Sequence, residues 1–461
     1  MMQDTKFRVI IIGAGPTGLY MALALHAANI DFVILEKSPS TFRERGNHLL
    51  IWPHTARLLD QLGLYEEAKR RSYKLHSKRD MLSNGRTLRN YPMWQRLEDS
   101  HGYPMLPLQR CDLLDVLYEG LPDGKKTVKT GSKVTEIKAS EHAVEVHLSN
   151  GTVETGSVVV GADGTHSMVR AYIREEVVKE EGSSATTTPG EIPTTAHFCS
   201  IYGEGPNKYG VESGVFFETR DTGMGIQVGA STDMLRLIIY KKLPRPSTTR
   251  VVFTPEEMEE VARSLFDKSA APGLKLRDIW PDIHKHSARL VSQEEGFAGH
   301  WHAAGRVVLT GDAAVTSSSV NGLGINCGLH SAALLASEIH RVVTTTLTTT
   351  TDPCPDSAAN LRTAFARYQR IRERQLRPIY QYSCMSLRQM TWDSWTDWVV
   401  DRFVKPWLPM RAWMDAYVIP MVRNGQILSY VPFQGKEGPV PWRYHPATTT
   451  VAPNMSEERG T

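Results

Sequence analysis

Two short apolar runs near the start of the chain set its architecture. Val9-Ile10-Ile11-Ile12 and Phe32-Val33-Ile34-Leu35 are continuous rather than alternating, the pattern of strands buried on both faces of a parallel sheet. Between them Gly13-Ala14-Gly15-Pro16-Thr17-Gly18 opens a helix over 19–28, giving a strand–turn–helix–strand unit. Two later runs repeat the theme: Val158-Val159-Val160 ends in Gly161-Ala162-Asp163-Gly164, and Val307-Val308-Leu309 ends in Thr310-Gly311-Asp312-Ala313-Ala314. Apolar spacing predicts a helix from Pro53 to a stop at Gly63 and another over 109–119, where Leu113, Leu114 and Leu117 form a stripe. Strands are predicted over 133–138 and 143–148.

Residues 180–195, rich in Ser, Thr, Pro and Gly, read as a loop or boundary. Beyond them Met234-Leu235-Arg236-Leu237-Ile238-Ile239-Tyr240 alternates, and Thr254-Pro255-Glu256-Glu257 is a capped helix start. The chain is therefore expected to be α/β, with a Rossmann-like domain from 1–190 and 285–375, a smaller α+β domain over 191–284, and a C-terminal helical segment over 376–461. The threonine run 344–351 reads as a surface loop. Trp392, Trp395, Trp398, Trp407 and Trp413 crowd a stretch interrupted by Pro406, Pro409 and Pro420. Short helices packed on the main domain, a lipid-facing surface and a lid over an apolar substrate all fit that stretch. A hairpin is expected over 427–432, and 455–461 reads as frayed.

Composition excludes some function classes. With 53 Lys+Arg against 50 Asp+Glu, the chain carries no overall charge that would select nucleic acid. Cys111, Cys199, Cys327, Cys354 and Cys384 are scattered without CxxC spacing, so neither a disulfide framework nor a zinc site is expected, and a reducing cytoplasmic setting fits. Residues 1–7 are expected to be too short and polar for a signal peptide, and no uninterrupted run of about 18 apolar residues suggests a membrane span.

The first chemistry lies in the glycine turn. Gly13 permits the tight bend, Gly15 allows a pyrophosphate to approach the backbone, Gly18 lets helix and strand pack, and Glu36 is placed to accept from a ribose hydroxyl. The helix behind the turn offers free N–H groups and its dipole to a diphosphate. A purely structural glycine turn is the alternative.

In their order, the glycine-rich opening, Gly161-Ala162-Asp163-Gly164-Thr165-His166-Ser167-Met168-Val169-Arg170 and Gly305-Arg306-Val307-Val308-Leu309-Thr310-Gly311-Asp312-Ala313-Ala314 resemble the group A flavoprotein monooxygenases, the aromatic-hydroxylase type of FAD enzyme. The resemblance spans about residues 8–375 and is strongest at these motifs. It implies that Gly311 and Asp312 meet the ribityl chain and diphosphate. It further implies that Gly322, Gly324, Ile325 and Asn326 bring the backbone to the flavin ring, that Arg110 reaches the cofactor, and that Gly46 passes near its adenosine or ribityl part. Asp163, Gly164 and Arg170 would serve both FAD and a transient NADPH; an Asp-Gly turn and a surface ion pair are the plainer readings. Val315 and Ser317-Ser318-Ser319 depart from the family, which commonly has a histidine and a proline there.

No second glycine-rich unit, HExxH element or Walker loop competes with this reading. The resemblance implies FAD reduction by NADPH, capture of O2 as a flavin C4a-hydroperoxide, and transfer of one oxygen atom to an organic substrate. The elements Leu428-Ser429-Tyr430-Val431-Pro432 and Gly438-Pro439-Val440-Pro441-Trp442 are similar to the tails of fungal indole-diterpene and meroterpenoid monooxygenases, which implies epoxidation or hydroxylation of a bulky, prenylated or aromatic intermediate. Tyr209 and Arg220 are the catalytic candidates by location, an ordinary core or surface role being the alternative. A flavin reductase or oxidase and a non-catalytic prenyl-binding escort are the competing functions. Peripheral membrane contact through the tryptophan-rich segment, with the catalytic domain in the cytosol, is a further expectation.

Overall fold

The computed structural model describes residues 7–40, 48–122, 127–181, 190–348 and 357–445. A six-stranded sheet runs in the spatial order His302–Ala303, Val307–Leu309, Val158–Gly161, Arg8–Ile12, Asp31–Leu35, Val128–Lys129. All neighbours are parallel except the edge pair His302–Ala303 with Val307–Leu309. Ile10 and Ile11 are fully buried, as are Val158, Val159 and Val160, because both faces are covered: Ile11 lies against Gly18 of the helix Pro16–Ala27, and Ile10 lies against Gly156 of the strand Val153–Gly156, which forms a three-stranded antiparallel sheet with Val144–Leu148 and Val134–Ala139; continuous apolar runs are the consequence. The helix Pro16–Ala27 starts with proline at its first turn and is buried almost all round, between this sheet and the long helix Leu323–Thr348.

A second, eight-stranded sheet orders Val315–Thr316, Arg289–Phe297, Ile192–Pro206, Met234–Ser247, Met224–Ala230, Val215–Asp221, Ser77–Leu82 and Thr87–Tyr91. It recruits 77–91 and 289–297, which the boundary reading had left with the first domain. Strand alternation sorts its faces. Val215 and Phe217 on one strand, with Leu235, Leu237 and Ile239 on another, join a core with the capped helix Pro255–Arg263 and Trp280. Phe216, Glu218, Arg220, Arg236 and Ile238 face the other way, toward the nucleotide-type domain.

The helix Ala358–Met390 carries Pro378 within it and leads into a series of short turns: Trp395–Val399, the π-turn Val400–Val404, Lys405–Trp407, Met410–Trp413, a second π-turn Met414–Val418 and Ile419–Arg423. Two expectations are corrected here. The threonine run is helical as far as Thr348, Thr344 donating to the His340 carbonyl at 2.8 Å, which satisfies its hydroxyl inside the helix; its remainder lies outside the described residues. The stretch 427–432 forms no hairpin. The Gln61 side chain donates to the carbonyls of Leu428 and Val431 and accepts from the Leu428 amide, taking the place of a partner strand. The 455–461 tail, Gly46, Cys354 and residues 182–189 also fall outside the described residues.

Candidate cofactor and substrate site

The glycines of the first turn divide into two kinds. Gly13 adopts φ +107°, and a Cβ there would sit 2.5 Å from the Ala162 carbonyl oxygen; a Cβ at Gly18 would sit 2.0 Å from the Gly13 oxygen. Both are demanded by packing. Gly15 is different: a Cβ there would meet nothing nearer than Arg110 Nη2 at 4.0 Å, so the turn opens onto free space with a guanidinium beside it. Glu36 is anchored next to this opening, its carboxylate accepting from the amides of Ala14 at 2.9 Å and Ser38 at 2.8 Å.

Asp312 follows Gly311, which is left-handed at φ +65° and packed against Thr17. Its side chain is open to water yet surrounded by protein, as befits a group on the floor of a cleft. Burial pushes its carboxyl upward, and the charge of Arg110 pulls it back. Gly324 also faces open space, at the start of Leu323–Thr348, where amide groups without helical partners accumulate. Ile325 is half-buried on the same turn. Open space at Gly15 and Gly324, with the Arg110 guanidinium beside Gly15 and its charge felt at Asp312, fits a dinucleotide cofactor.

Other expected cofactor residues are engaged within the protein. Asn326 is fully buried; its oxygen accepts from the Trp52 amide at 2.9 Å, and its nitrogen donates to the carbonyls of Leu50 at 2.8 Å and Gly322 at 2.6 Å. It clamps the strand His48–Ile51 to the glycine loop. Asp163 caps the helix Met168–Glu181, accepting from Ser167 Oγ at 2.5 Å and the Met168 amide at 2.8 Å. Arg170 donates to the Ala313 carbonyl at 2.9 Å, so the Asp163 loop holds the Asp312 turn in place.

Where the two sheets approach, the chain encloses a cavity of about 570 Å³. A recess of about 50 Å³ adjoins it, sharing Leu50, Phe216, Gln227 and Val320, and reaches Ser319 and Gly322. Glycine loop and cavity are thereby joined. The cavity's apolar wall comes from Trp52, Trp94 and Phe216, from Ile379 and Tyr382 on the long helix, and from Leu408, Met410 and Trp413 of the tryptophan-rich segment, which roofs the cavity.

Of the two catalytic candidates, only Arg220 lines this space. Tyr209 is a correction: it lies on a loop at the opposite face of the sheet, donating to the Asp278 carbonyl at 2.7 Å and to the Asp282 carboxylate. Arg220 sits in a buried ionic cluster that residue-by-residue reading had missed. Its Nη1 is 3.0 Å from Asp401, and it also pairs with Glu218 and Asp80. Arg89 meets Asp80 at 2.8 Å and Asp401 at 3.2 Å, Lys78 meets Glu218 at 2.9 Å, and Lys405 lies 3.4 Å from Asp401. Burial opposes ionisation of Asp80, but Arg220, Lys78 and Arg89 outweigh it and hold its carboxyl below the usual range. The available signal was the i, i+2 spacing of charges, Lys78 with Asp80 and Glu218 with Arg220, on strands that pair in parallel.

The serine segment that departs from the family is tied to the substrate sheet. Ser319 Oγ hydrogen-bonds Tyr202 Oη at 2.6 Å and Tyr240 Oη at 3.1 Å, and donates to Gln293 Oε1 at 2.9 Å.

Known proteins similar to this chain bind the same class of cofactor. Residues 6–350 match the FAD binding domain family. The chain is 38% identical over 446 residues to the FAD-dependent monooxygenase srdH of Neurospora crassa, covering 95% of this chain and 98% of that one. It is 28% identical over 449 residues to the FAD-dependent monooxygenase andE of Emericella variicolor, with coverages of 95% and 91%. In fold it is similar to Klebsiella pneumoniae HpxO complexed with FAD and uric acid, with a TM-score of 0.72 at 16% identity over 90% of this chain and 96% of that one.

Proposed function

The chain belongs to the FAD binding domain family and is an FAD-dependent oxidoreductase; from that premise we propose that it is a monooxygenase of secondary metabolism, acting on a bulky, aromatic or prenylated intermediate. The observation that carries this reading is the continuity between the glycine loop at Gly322 and a large, mainly apolar cavity. Gly15, Arg110, Asp312 and Gly324 would hold FAD, which when bound supplies the electron transfer and dioxygen activation that no amino-acid side chain provides. The protein's share is to orient the substrate against the loop and to keep water out, the task of Trp52, Phe216 and the roof residues Leu408 and Trp413. NADPH is the proposed reductant. One oxygen atom enters the product; the other leaves as water, which takes up the two electrons and the hydrogen that NADPH gives as hydride on becoming NADP⁺, together with one proton from solution.

The test is turnover under ¹⁸O₂ with a prenylated phenolic or terpenoid substrate. One labelled oxygen per product and one NADPH consumed are expected. Product without label, or hydrogen peroxide as the sole fate of O2, would mark an oxidase or reductase instead.

No helix among the described residues is long and apolar enough to cross a membrane. Peripheral contact with a lipid surface remains part of the proposal. It is supported by the roof segment, where Trp407 and Trp395 are 85% and 76% exposed and Leu408 and Tyr417 are both exposed and cavity-lining. Flotation with anionic vesicles is expected for the wild type and reduced for Trp395→Ala/Trp407→Ala; equal flotation of the two, or none, would remove this element.

A further inference from the structure

The charged end of the cavity is one anion short. Among the described residues, Lys78, Arg89, Arg220 and Lys405 face only Asp80, Glu218 and Asp401, all drawn into one cluster with side chains mostly removed from water. Tyr91 and Tyr382, the phenols beside them, are pushed upward by burial and stay neutral, so they do not supply the missing charge. Two buried donors, Arg89 Nη1 and Arg220 Nε, have no hydrogen-bond partner among the described residues; the one unbonded acceptor of the cluster, Asp80 Oδ1, lies 3.6 Å from Lys78 Nζ. Lys405 is the least compensated cation. Its Nζ donates to the neutral Gln389 amide oxygen at 2.6 Å and reaches one carboxylate, Asp401, at 3.4 Å, a carboxylate already claimed by Arg89, Arg220 and Trp392 Nε1. An uncompensated charge in such surroundings is costly, and a ligand that neutralises it gains a charge-assisted hydrogen bond in a site of low dielectric.

Resting on the monooxygenase reading, we propose that the substrate is an amphiphile whose acidic oxygen, a carboxylate or an ionised enol, docks against Lys405 and the Arg89–Arg220 pair while its lipophilic body lies along the apolar wall. Residues from three parts of the chain converge on that head. Lys405 is contributed by the roof, so the roof both covers the lipophilic body and supplies the cation that fixes the polar end. This puts the oxidised position on the lipophilic side, since the recess at Gly322 joins the cavity through Leu50, Phe216, Gln227 and Val320, and the charged residue of the recess, Arg236, donates to His48 and does not line the cavity.

The test is isothermal titration calorimetry on the FAD-loaded protein without NADPH, so that no turnover occurs. The probes are 4-decylbenzoic acid against its methyl ester, for a carboxylate, and 2-decyl-1,3-cyclohexanedione against its enol methyl ether, for an acidic enol. At least one acid is expected to bind about tenfold or more tighter than its methylated partner, the scale of one charge-assisted contact. In Lys405→Gln that preference should collapse with affinity for the methylated probe retained, and in Lys405→Arg it should persist. Equal binding of acid and methylated form in the wild type, or an undiminished preference in Lys405→Gln, overturns the proposal; if that variant does not fold, the wild-type comparison decides. Failure of ¹⁸O incorporation with intact acid preference would instead count against the monooxygenase reading alone.

Discussion

Asp401 is the residue on which the roof hangs, and Asp401→Asn tests how much. The carboxylate is fully buried in the π-turn Val400–Val404 and serves Arg89 at 3.2 Å, Arg220 at 3.0 Å and Trp392 Nε1 at 3.1 Å, with Lys405 at 3.4 Å. Replacing it with the isosteric amide keeps the volume and leaves four cations facing Asp80 and Glu218 alone. Removing one partner of a buried ion pair costs about 3–5 kcal/mol, because the other charges stay buried and uncompensated. That penalty falls first on the element that can leave. Opening of 395–418 should therefore become more frequent by roughly 10²- to 10⁴-fold, the equivalent of that free energy. Hydrogen exchange followed by mass spectrometry on peptides from this segment reads the change directly. Asp415→Asn is the internal control: Asp415 lies in the same roof but pairs with Arg96 at the exposed surface, where such a pair is worth about 1 kcal/mol or less. Equal exchange in the two variants, or no change in Asp401→Asn, would refute the claim that the ionic cluster holds the roof.

Gly15→Ala should fold normally and purify with little FAD, since its methyl group enters the open space before the helix, whereas Gly18→Ala should lower stability severely by driving a carbon onto the Gly13 carbonyl; circular dichroism with the visible flavin spectrum separates the two. Asp312→Ala should weaken FAD at least tenfold, a loss of about 1.5–3 kcal/mol for a charge-assisted contact, and unchanged occupancy on equilibrium dialysis would remove Asp312 from the site. Asp80 has a depressed folded value, so its contribution is complete above the ordinary carboxylate range and is lost as pH falls through the folded value; Asp80→Asn should flatten the acid limb of the urea-midpoint profile. Lys405 behaves in the opposite region. Burial first and Arg220 second push it down from 10.5 to about 8, so the folded state releases its proton first and stability rises with pH between those values. Lys405→Gln should remove that rise and be neutral or stabilising at pH 7, the reverse of Asp401→Asn.

The sequence alone determined the elements whose environment is dictated by local period. Runs such as 9–12, 158–160 and 307–309 are readable because a strand buried on both faces admits only apolar residues, whatever its neighbours are. Gly13 and Gly18 are readable for a similar reason: the turn fails locally with any side chain there. What the sequence could not decide was which engaged and which free residues share a space. Asn326 and Asp163 look like cofactor contacts by motif, yet in the fold their polar atoms close on Trp52, Leu50 and Ser167. Tyr209 and Arg220 were equal candidates by position; strand alternation turns Arg220 to the cavity with Phe216 and Glu218, while Tyr209 falls on a loop behind the sheet. Only tertiary structure assembles Lys78, Arg89, Arg220 and Asp401 into one cluster. The physical reason is that burial and charge pairing over such separations in sequence depend on how two sheets and a roof dock, and no periodicity in the chain encodes that docking.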